Sequence, residues 1–370
     1  MDTTPITGLA ELDSHLDDLV RDPELPLNPK LFDDVELQLT DANIPSLIGK
    51  LLPKLTSILK QYTRDPAVIV SLTIKLLRPI SFTQVLSLAS EESLIQALDS
   101  PSPAANILAM TIIHKAAASS GDAAILSLMP SAVTAFIRRW LAAPEVEVGQ
   151  KGGKVLGDLL DIDCELPPPP PPSQATDLTA LVLRKSPGQG KMWRRIFHDK
   201  STYFLLLDLI SGRHPDTSKP HQLSLAQGRI LRLLPRLAAL NLQAVSQSPF
   251  TAPAAPYQTN GHSSNSRLGP KEGEGLLQFA ALHMVDKTDR LVHLTLIDFF
   301  EAFISLMRVT EYSAYKVETI RGILREALRD DPLLRESMEG LPESTIPEEA
   351  NSLRRWLRQV LPAEINLALR

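Results

Sequence analysis

Lysine and arginine side chains recur three or four positions apart in apolar segments of this 370-residue chain. Residues at this spacing share one face of a helix. A face of this kind, made of lysine and arginine, can bind the carboxylates or phosphates of another molecule, and this binding needs no catalytic residue. The spacing therefore predicts electrostatic binding of a partner, although a solvated helix face also carries such residues. The candidate partner-binding residues are Lys75, Arg78, Lys115, Lys151, Lys154, Arg229, Arg232 and Arg236.

A second cluster combines cationic and aromatic side chains between Lys191 and His198. Tryptophan and arginine are enriched among the residues that contribute most to protein interfaces. We therefore add Trp193, Arg194 and Arg195 as candidate partner-binding residues, with Trp193 as the anchor. The alternative interpretation is that Trp193 and Phe197, four residues apart, face the core while the arginines reach solvent.

Residue patterns that support catalysis are weak in this sequence. The segment Gly188–Lys191 resembles part of a phosphate-binding loop, but it lacks the first glycine and the Ser/Thr after the lysine. His198 and Asp199 have no nucleophile in a recognisable turn. Cys164 is the one cysteine, so the chain forms no internal disulfide, and no Cys/His cluster predicts a zinc site. We predict no enzyme activity, catalytic residue, metal, cofactor or small-molecule substrate.

The elements that carry these residues repeat along the chain. Pro66, Pro103 and Pro144 each precede an apolar helix and lie about forty residues apart, the period of HEAT and armadillo repeats. Leucine and alanine dominate over aromatic residues, which favours packing of helix on helix. The sequence predicts an all-α, HEAT/armadillo-like, right-handed superhelical solenoid of stacked helix pairs. Equivalent helices then lie side by side, and their polar faces adjoin on the inner surface.

The repeats predict a division of the chain into six segments. Six consecutive prolines from Pro167 to Pro172 indicate an extended spacer, with an SH3 or WW ligand as the alternative. We expect Pro235 to kink or split its helix. The predicted segments are an acidic N-terminal helix and connector (1–40), HEAT-like repeats (41–165), a proline-rich loop (166–190), further HEAT-like repeats (191–246), a disordered insertion (247–274) and C-terminal helical repeats (275–370).

The composition of the chain indicates which classes of partner and which cell compartment to expect. The formal charge of −5 and the pI near 5.9 give no general attraction to nucleic acid, and no aromatic residues interleave with the basic ones. We therefore do not expect nucleic-acid binding. No run of eighteen apolar residues predicts a membrane span, and no signal peptide is expected. The single cysteine suits a reducing compartment, so we expect the cytoplasm, with the nucleus as a further location.

Three segments resemble a known family. They are Val148–Leu160 (VGQKGGKVLGDLL), followed by Asp163, Cys164 and the proline run; Gly190–Asp199 (GKMWRRIFHD); and Leu223–Asn241. Over about Ile44 to Arg308 the chain is similar to fungal relatives of the proteasome-base assembly chaperone. This family is akin to the metazoan non-ATPase regulatory subunit 5, and its fungal branch is also labelled a DNA mismatch repair protein.

The resemblance implies a C-shaped solenoid that binds the C-terminal domain of one ATPase subunit of the 26S proteasome regulatory particle. Such a protein holds assembly intermediates and leaves before the finished particle works. The alternatives are a mismatch-repair accessory that binds DNA or repair factors, and a generic HEAT/armadillo scaffold.

Overall fold

The computed structural model describes residues 5–165, 187–250 and 273–361, and these residues form nineteen α-helices with no strand among them. The all-α prediction is confirmed. Within the described ranges, two short 3-10 turns, Lys115–Ala118 and Pro215–Thr217, join helices. The helices are α1 Leu9–Arg21, α2 Pro29–Gln38, α3 Ile44–Gln61, α4 Ala67–Leu77, α5 Phe82–Leu86, α6 Glu91–Asp99, α7 Pro103–His114, α8 Ser120–Ser127, α9 Pro130–Ala142, α10 Val146–Ile162, α11 Lys191–Phe197, α12 Lys200–Ile210, α13 Pro220–Leu240, α14 Leu242–Ser246, α15 Leu276–Leu282, α16 Arg290–Val309, α17 Ala314–Ala327, α18 Pro332–Gly340 and α19 Pro347–Val360.

The helices pack as successive pairs, as a solenoid requires. α3 packs on α4, α6 on α7, α9 on α10 and α12 on α13. The second helices of these pairs contact one another in chain order, so that α4, α7, α10, α13 and α16 form one row. A parallel row contains α6, α9 and α12. The stacked helix pairs expected from the repeat are thus present, and the handedness of the superhelix stays a prediction.

Prolines mark the starts of several of these helices. Pro103 and Pro130 occupy the first helical position, where the missing N–H has no partner to lose. Pro66 is the residue before α4, and Pro144 lies in the connector before α10. Pro235 does not split its helix, since α13 runs unbroken from Pro220 to Leu240 with Pro235 buried inside it, and the expected kink stays a prediction.

The first forty residues differ from the expected single helix and connector. They form two helices, α1 and α2, which pack with α3 and α4 around a separate apolar core. Leu12, Leu16 and Leu19 are fully buried there, as are Phe32 and Val35. Burying a side chain of this size stabilises the fold by about 1.5–3 kcal/mol, so the apolar face outweighs the acidic composition that suggested a loose segment.

Most of the remaining apolar residues form one continuous core from α5 to α19. The expected proline-rich loop and disordered insertion lie largely outside the described residues, at 166–186 and 251–272. Among the described helices none is by itself both long and apolar enough to cross a membrane, and only α8 and α9 taken together, across a 95° bend, meet that criterion by length and composition.

Candidate partner-binding surface

The four helices with basic faces, α4, α7, α10 and α13, are neighbours in one row, and polar side chains link them. Lys115, the first residue after α7, donates through Nζ to the carbonyl oxygens of Ile80 (2.7 Å) and Arg78 (3.3 Å) just beyond the end of α4. Burial lowers the pKa of Lys115. Its amine therefore completes hydrogen bonds inside the protein, and the interpretation of Lys115 as a partner contact is corrected.

Asp158 on α10 connects three cationic or titratable side chains. His114 Nε2 lies 2.8 Å from Asp158 Oδ2, Lys154 Nζ lies 3.0 Å from the same oxygen, and Arg236 donates to Oδ1 at 2.9 Å. Burial disfavours the carboxylate, but these hydrogen bonds outweigh it and lower the pKa of Asp158 to about 2. Arg236 also reaches Asp161 at 3.0 Å. Arg236 thus links α13 to α10 within the protein, and its contact with a partner stays a prediction.

Arg229 is buried and serves the neighbouring helix pair. Its guanidinium donates to the carbonyl oxygens of Trp140 (2.9 Å) and Leu141 (3.0 Å) at the end of α9, and to that of Glu145 (3.0 Å). Burial lowers the pKa of Arg229 to about 10. A cation at a helix C-terminus satisfies carbonyls that lack intrahelical donors. Arg229 is therefore a helix cap, and its expected contact with a partner is corrected.

The glycines of α10 make these long-range contacts possible. A Cβ on Gly149 would lie 2.1 Å from Arg229 Nε, and one on Gly157 would lie 2.4 Å from an Arg236 nitrogen. A Cβ on Gly152 would lie 2.5 Å from the Trp140 ring. The glycine-rich segment that carries the family resemblance thus encodes the packing of α9 and α13 against α10.

Five of the predicted cations remain on the surface of the row, and we call them the cationic stripe: Lys75 and Arg78 on and just after α4, Lys151 and Lys154 on α10, and Arg232 on α13. Within the described residues Lys75, Lys151 and Arg232 have no ion-pair or hydrogen-bond partner. Arg78 makes only an exposed ion pair with Asp41, at 3.5 Å. Lys154 is exposed and pairs with Asp158 at 3.0 Å. Lys75, Lys151 and Arg232 can therefore bind carboxylates of another molecule without losing an internal bond, whereas Arg78 and Lys154 would each exchange one ion pair at the surface.

Lys151 is a member of the cationic stripe whose surroundings perturb its charge. It is half-buried, and burial together with the nearby charge of Lys154 lowers its pKa. A cation in this position is stabilised by an incoming negative charge more than a fully exposed lysine is, because less water screens the pair. Lys151 therefore responds to an incoming carboxylate more strongly than it would if it were fully exposed.

Trp193 lies in the core rather than on the surface. It is 3% exposed, its ring stacks on Phe197 at 5.4 Å, and its Nε1 donates to the carbonyl oxygen of Leu160 at 2.8 Å. The interpretation of Trp193 as an exposed anchor is therefore corrected in favour of the core alternative. Arg194 is exposed and pairs with Glu165, and Arg195 pairs with Asp199 and donates to the carbonyl oxygen of Ser127 at 2.8 Å.

Comparison with known families adds evidence for the N-terminal part of the row. Residues 13–135 match the family model described as DNA mismatch repair protein HSM3, N terminal domain. This part of the chain matches the HSM3 family. The family suspected from the sequence is thus confirmed over these residues, and the three segments that suggested it lie beyond the match. No curated protein matches the chain.

The HSM3 match covers α2 to α8 completely, with parts of α1 and α9. It includes the members of the cationic stripe on and after α4, Lys75 and Arg78, whereas Lys151, Lys154 and Arg232 lie beyond its end. The stripe therefore begins in the matched region and continues into the helices that follow it.

Beyond the HSM3 match, the segment that resembles a phosphate-binding loop already holds an anion from the protein itself. The carboxylate of Asp163 accepts hydrogen bonds from the backbone N–H groups of Gln189 (3.1 Å) and Met192 (2.6 Å). Gly190 adopts a φ of 65°, which permits this turn. Burial raises the pKa of Asp163 although these N–H groups favour its charged form. An internal carboxylate thus occupies the place that a phosphate would take, and caps the start of α11.

Proposed function

We propose that this protein is a non-enzymatic assembly chaperone of the 26S proteasome regulatory particle, which binds the C-terminal domain of one ATPase subunit and holds assembly intermediates. Three observations support the proposal: the HSM3 match over residues 13–135, the resemblance of the later segments to the proteasome-base chaperones, and the solenoid of helix pairs. Solenoids expose long surfaces that suit the binding of another protein.

The cationic stripe is the observation that carries the proposal. It runs across neighbouring helices of one row and contains lysines and arginines without counter-ions among the described residues. Such a surface attracts an acidic protein face and fixes its orientation. Exposed ion pairs contribute about 0.2–1 kcal/mol each, so a few of them give a moderate affinity. Moderate affinity suits a chaperone that must leave the finished particle.

Asp199 and the loop before Lys191, which were considered for catalysis above, have structural roles. Asp199 accepts a hydrogen bond from the backbone N–H of Thr202 at 3.0 Å and so caps α12, while it also pairs with Arg195. The loop before Lys191 is closed by Asp163. These bonds favour a steric and electrostatic mechanism, in which the bound partner surface is covered until assembly proceeds. We propose the cytoplasm and the nucleus as the location.

Affinity purification of the tagged full chain, followed by mass spectrometry, tests this function. We expect a regulatory-particle ATPase to be recovered without mature, proteolytically active proteasome. Recovery of other proteins but no ATPase would contradict the proposal and would favour a generic scaffold.

A mismatch-repair accessory is the second candidate, because the matched family model carries that description. DNA binding through the cationic stripe would weaken steeply as salt is raised, since phosphate contacts release counterions. A mobility-shift assay with mismatched duplex DNA therefore separates the two functions. We expect no shift at physiological salt.

A further inference from the structure

A cleft of about 730 Å³ lies beyond the C-terminal ends of α10 and α13, away from the cationic stripe. Its floor and walls come from α11, the end of α8 and the start of α14. Glu165, three residues after α10, and Asn241, directly after α13, stand at its rim. Its volume is within the range of about 300–1,000 Å³ found for ligand sites.

One wall of the cleft is the solvent face of α11, and every residue on that face is cationic or titratable. Lys191, Arg194, Arg195 and His198 follow one another at spacings of three, one and three residues, which places them on one side of the helix. The opposite side holds the buried aromatic and apolar residues, including Trp193. The core thus fixes α11 with its positive face towards the cleft.

Two of the side chains on this face of α11 form ion pairs within the protein, and the other two do not. Arg194 pairs with Glu165 and Arg195 with Asp199. Lys191 and His198, at the two ends of the face, are exposed, and their side chains have no hydrogen-bond or ion-pair partner among the described residues. Lys191 and His198 are seven positions apart, which corresponds to about 10 Å along the helix axis.

Carbonyl groups at the helix ends around the cleft do not cancel this positive charge. The carbonyl oxygen of Ser127, the last residue of α8, accepts the Nε–H of Arg195, and that of Leu240, the last residue of α13, accepts the thiol of Cys164. Both acceptors are therefore already bonded, and the side chains of α11 determine what the cleft attracts.

The other walls suit a peptide more than a nucleic acid. Leu128 is 71% exposed at the edge of the cleft, beside Ala244, and offers an apolar contact for a side chain. Asn241 Oδ1 already accepts the backbone N–H of Ala244 at 3.0 Å, and its Nδ2 can donate to a carbonyl oxygen of a bound peptide. The aromatic ring in the lining, Trp193, is buried and presents no face on which a base could stack.

We propose that this cleft is a second binding site, which takes an acidic peptide segment of a partner protein in an extended conformation. In the polyproline II form of an extended segment, carboxylates three residues apart lie on one face and about 9 Å apart, which is close to the separation of Lys191 and His198. The apolar residue between them packs against Leu128. The site uses none of the cationic stripe, so it stands independently of the function proposed above.

Fluorescence anisotropy on the purified full chain tests the site with a labelled peptide that has glutamates at every third position and leucines between them. A second peptide replaces each glutamate by glutamine, and a single-stranded oligonucleotide of similar length serves as the phosphate probe. We expect the glutamate peptide to bind about tenfold more tightly than either of the other two, because charge complementarity supplies the affinity.

The Lys191→Glu/Arg194→Gln variant should weaken binding of the glutamate peptide by about tenfold. Lys30→Glu/Arg355→Gln changes the net charge equally at exposed residues of α2 and α19 and should bind like the unmodified chain. The single variant Lys191→Gln breaks no internal bond and should weaken binding of the glutamate peptide about threefold. This variant tests the site even where the double variant fails to fold. Equal affinity in all variants, equal binding of both peptides, or tighter binding of the oligonucleotide would overturn the proposal.

Discussion

The guanidinium of Arg229 passes over Gly149, where a Cβ would come within 2.1 Å of its Nε. Because glycine stands at that position of α10, the arginine of α13 reaches the end of α9 and binds the carbonyl oxygens of Trp140 and Leu141. One residue pair therefore joins three helices of the solenoid. Arg232, one turn further along α13, is exposed and makes no such contact.

Replacing Arg229 should destabilise the fold, whereas replacing Arg232 should not. Arg229→Met leaves two buried carbonyl groups at the end of α9 without their donor, and we expect the free energy of unfolding to fall by about 3 kcal/mol. Arg232→Met should change it by less than about 0.5 kcal/mol. Urea denaturation followed by circular dichroism measures both. Equal stability of the two variants would show that Arg229 does not act as a cap.

Replacing the adjacent glycines Gly152 and Gly153 of α10 by alanine, one at a time, should change the stability of the fold in opposite directions. A Cβ on Gly152 meets the Trp140 ring at 2.5 Å, whereas one on Gly153 has its nearest neighbour at 3.5 Å, an ordinary contact. Alanine gains up to about 1 kcal/mol over glycine inside a helix. We expect Gly153→Ala to raise the melting temperature slightly. Gly152→Ala should lower it, since overpacking costs about 1–3 kcal/mol. A thermal scan in which both variants gain stability would contradict this packing.

Asp158 should make the fold sensitive to acid in a defined range. Its pKa is lowered in the folded state from 3.8 to about 2, so its contribution is complete above pH 3.8 and is lost as the pH falls towards 2. The shift corresponds to about 2 kcal/mol. Asp158→Asn should be less stable than the unmodified chain at neutral pH, and the difference should shrink over this range.

The matched control for Asp158 is Asp298→Asn, which removes an exposed carboxylate from α16 of the same row without breaking an ion pair. Unfolding free energies of the three proteins between pH 2 and pH 7 measure the effect. A constant difference between Asp158→Asn and the unmodified chain across this range would be inconsistent with the ion pairs of Asp158.

The sequence was sufficient to predict the helix pairs and the neighbouring positions of α4, α7, α10 and α13. The sequence did not distinguish the roles of the three arginines of α13. Arg229, Arg232 and Arg236 share a helix face, and which of them is buried depends on how α9 and α10 pack against that face. A signal was nevertheless present. Gly149 and Gly157 lie about two turns apart on α10, as Arg229 and Arg236 do on α13, and small residues at matching intervals indicate where long side chains cross.

The N-terminal forty residues show a second limit. Their acidic and proline-rich composition suggested a loose segment, but Leu12, Leu16 and Leu19 recur at helical spacing and are all buried. Periodicity was the better guide here, because burial of an apolar face depends on the order of residues and not on their average. The burial of Trp193 follows the same rule, since its partner Phe197 lies one turn away.

The cationic stripe is tested most directly by titrating the purified chain with the isolated C-terminal domains of the regulatory-particle ATPases. We predict that one domain binds and that Lys151→Glu/Lys154→Glu/Arg232→Glu weakens its affinity by at least about tenfold while the helical content is retained. Lys30→Glu/Lys60→Glu/Arg355→Glu, with the same change in charge at exposed residues elsewhere, should bind like the unmodified chain. Binding of an ATPase domain that is unaffected by the first variant, or no binding of any of the domains, would contradict the account.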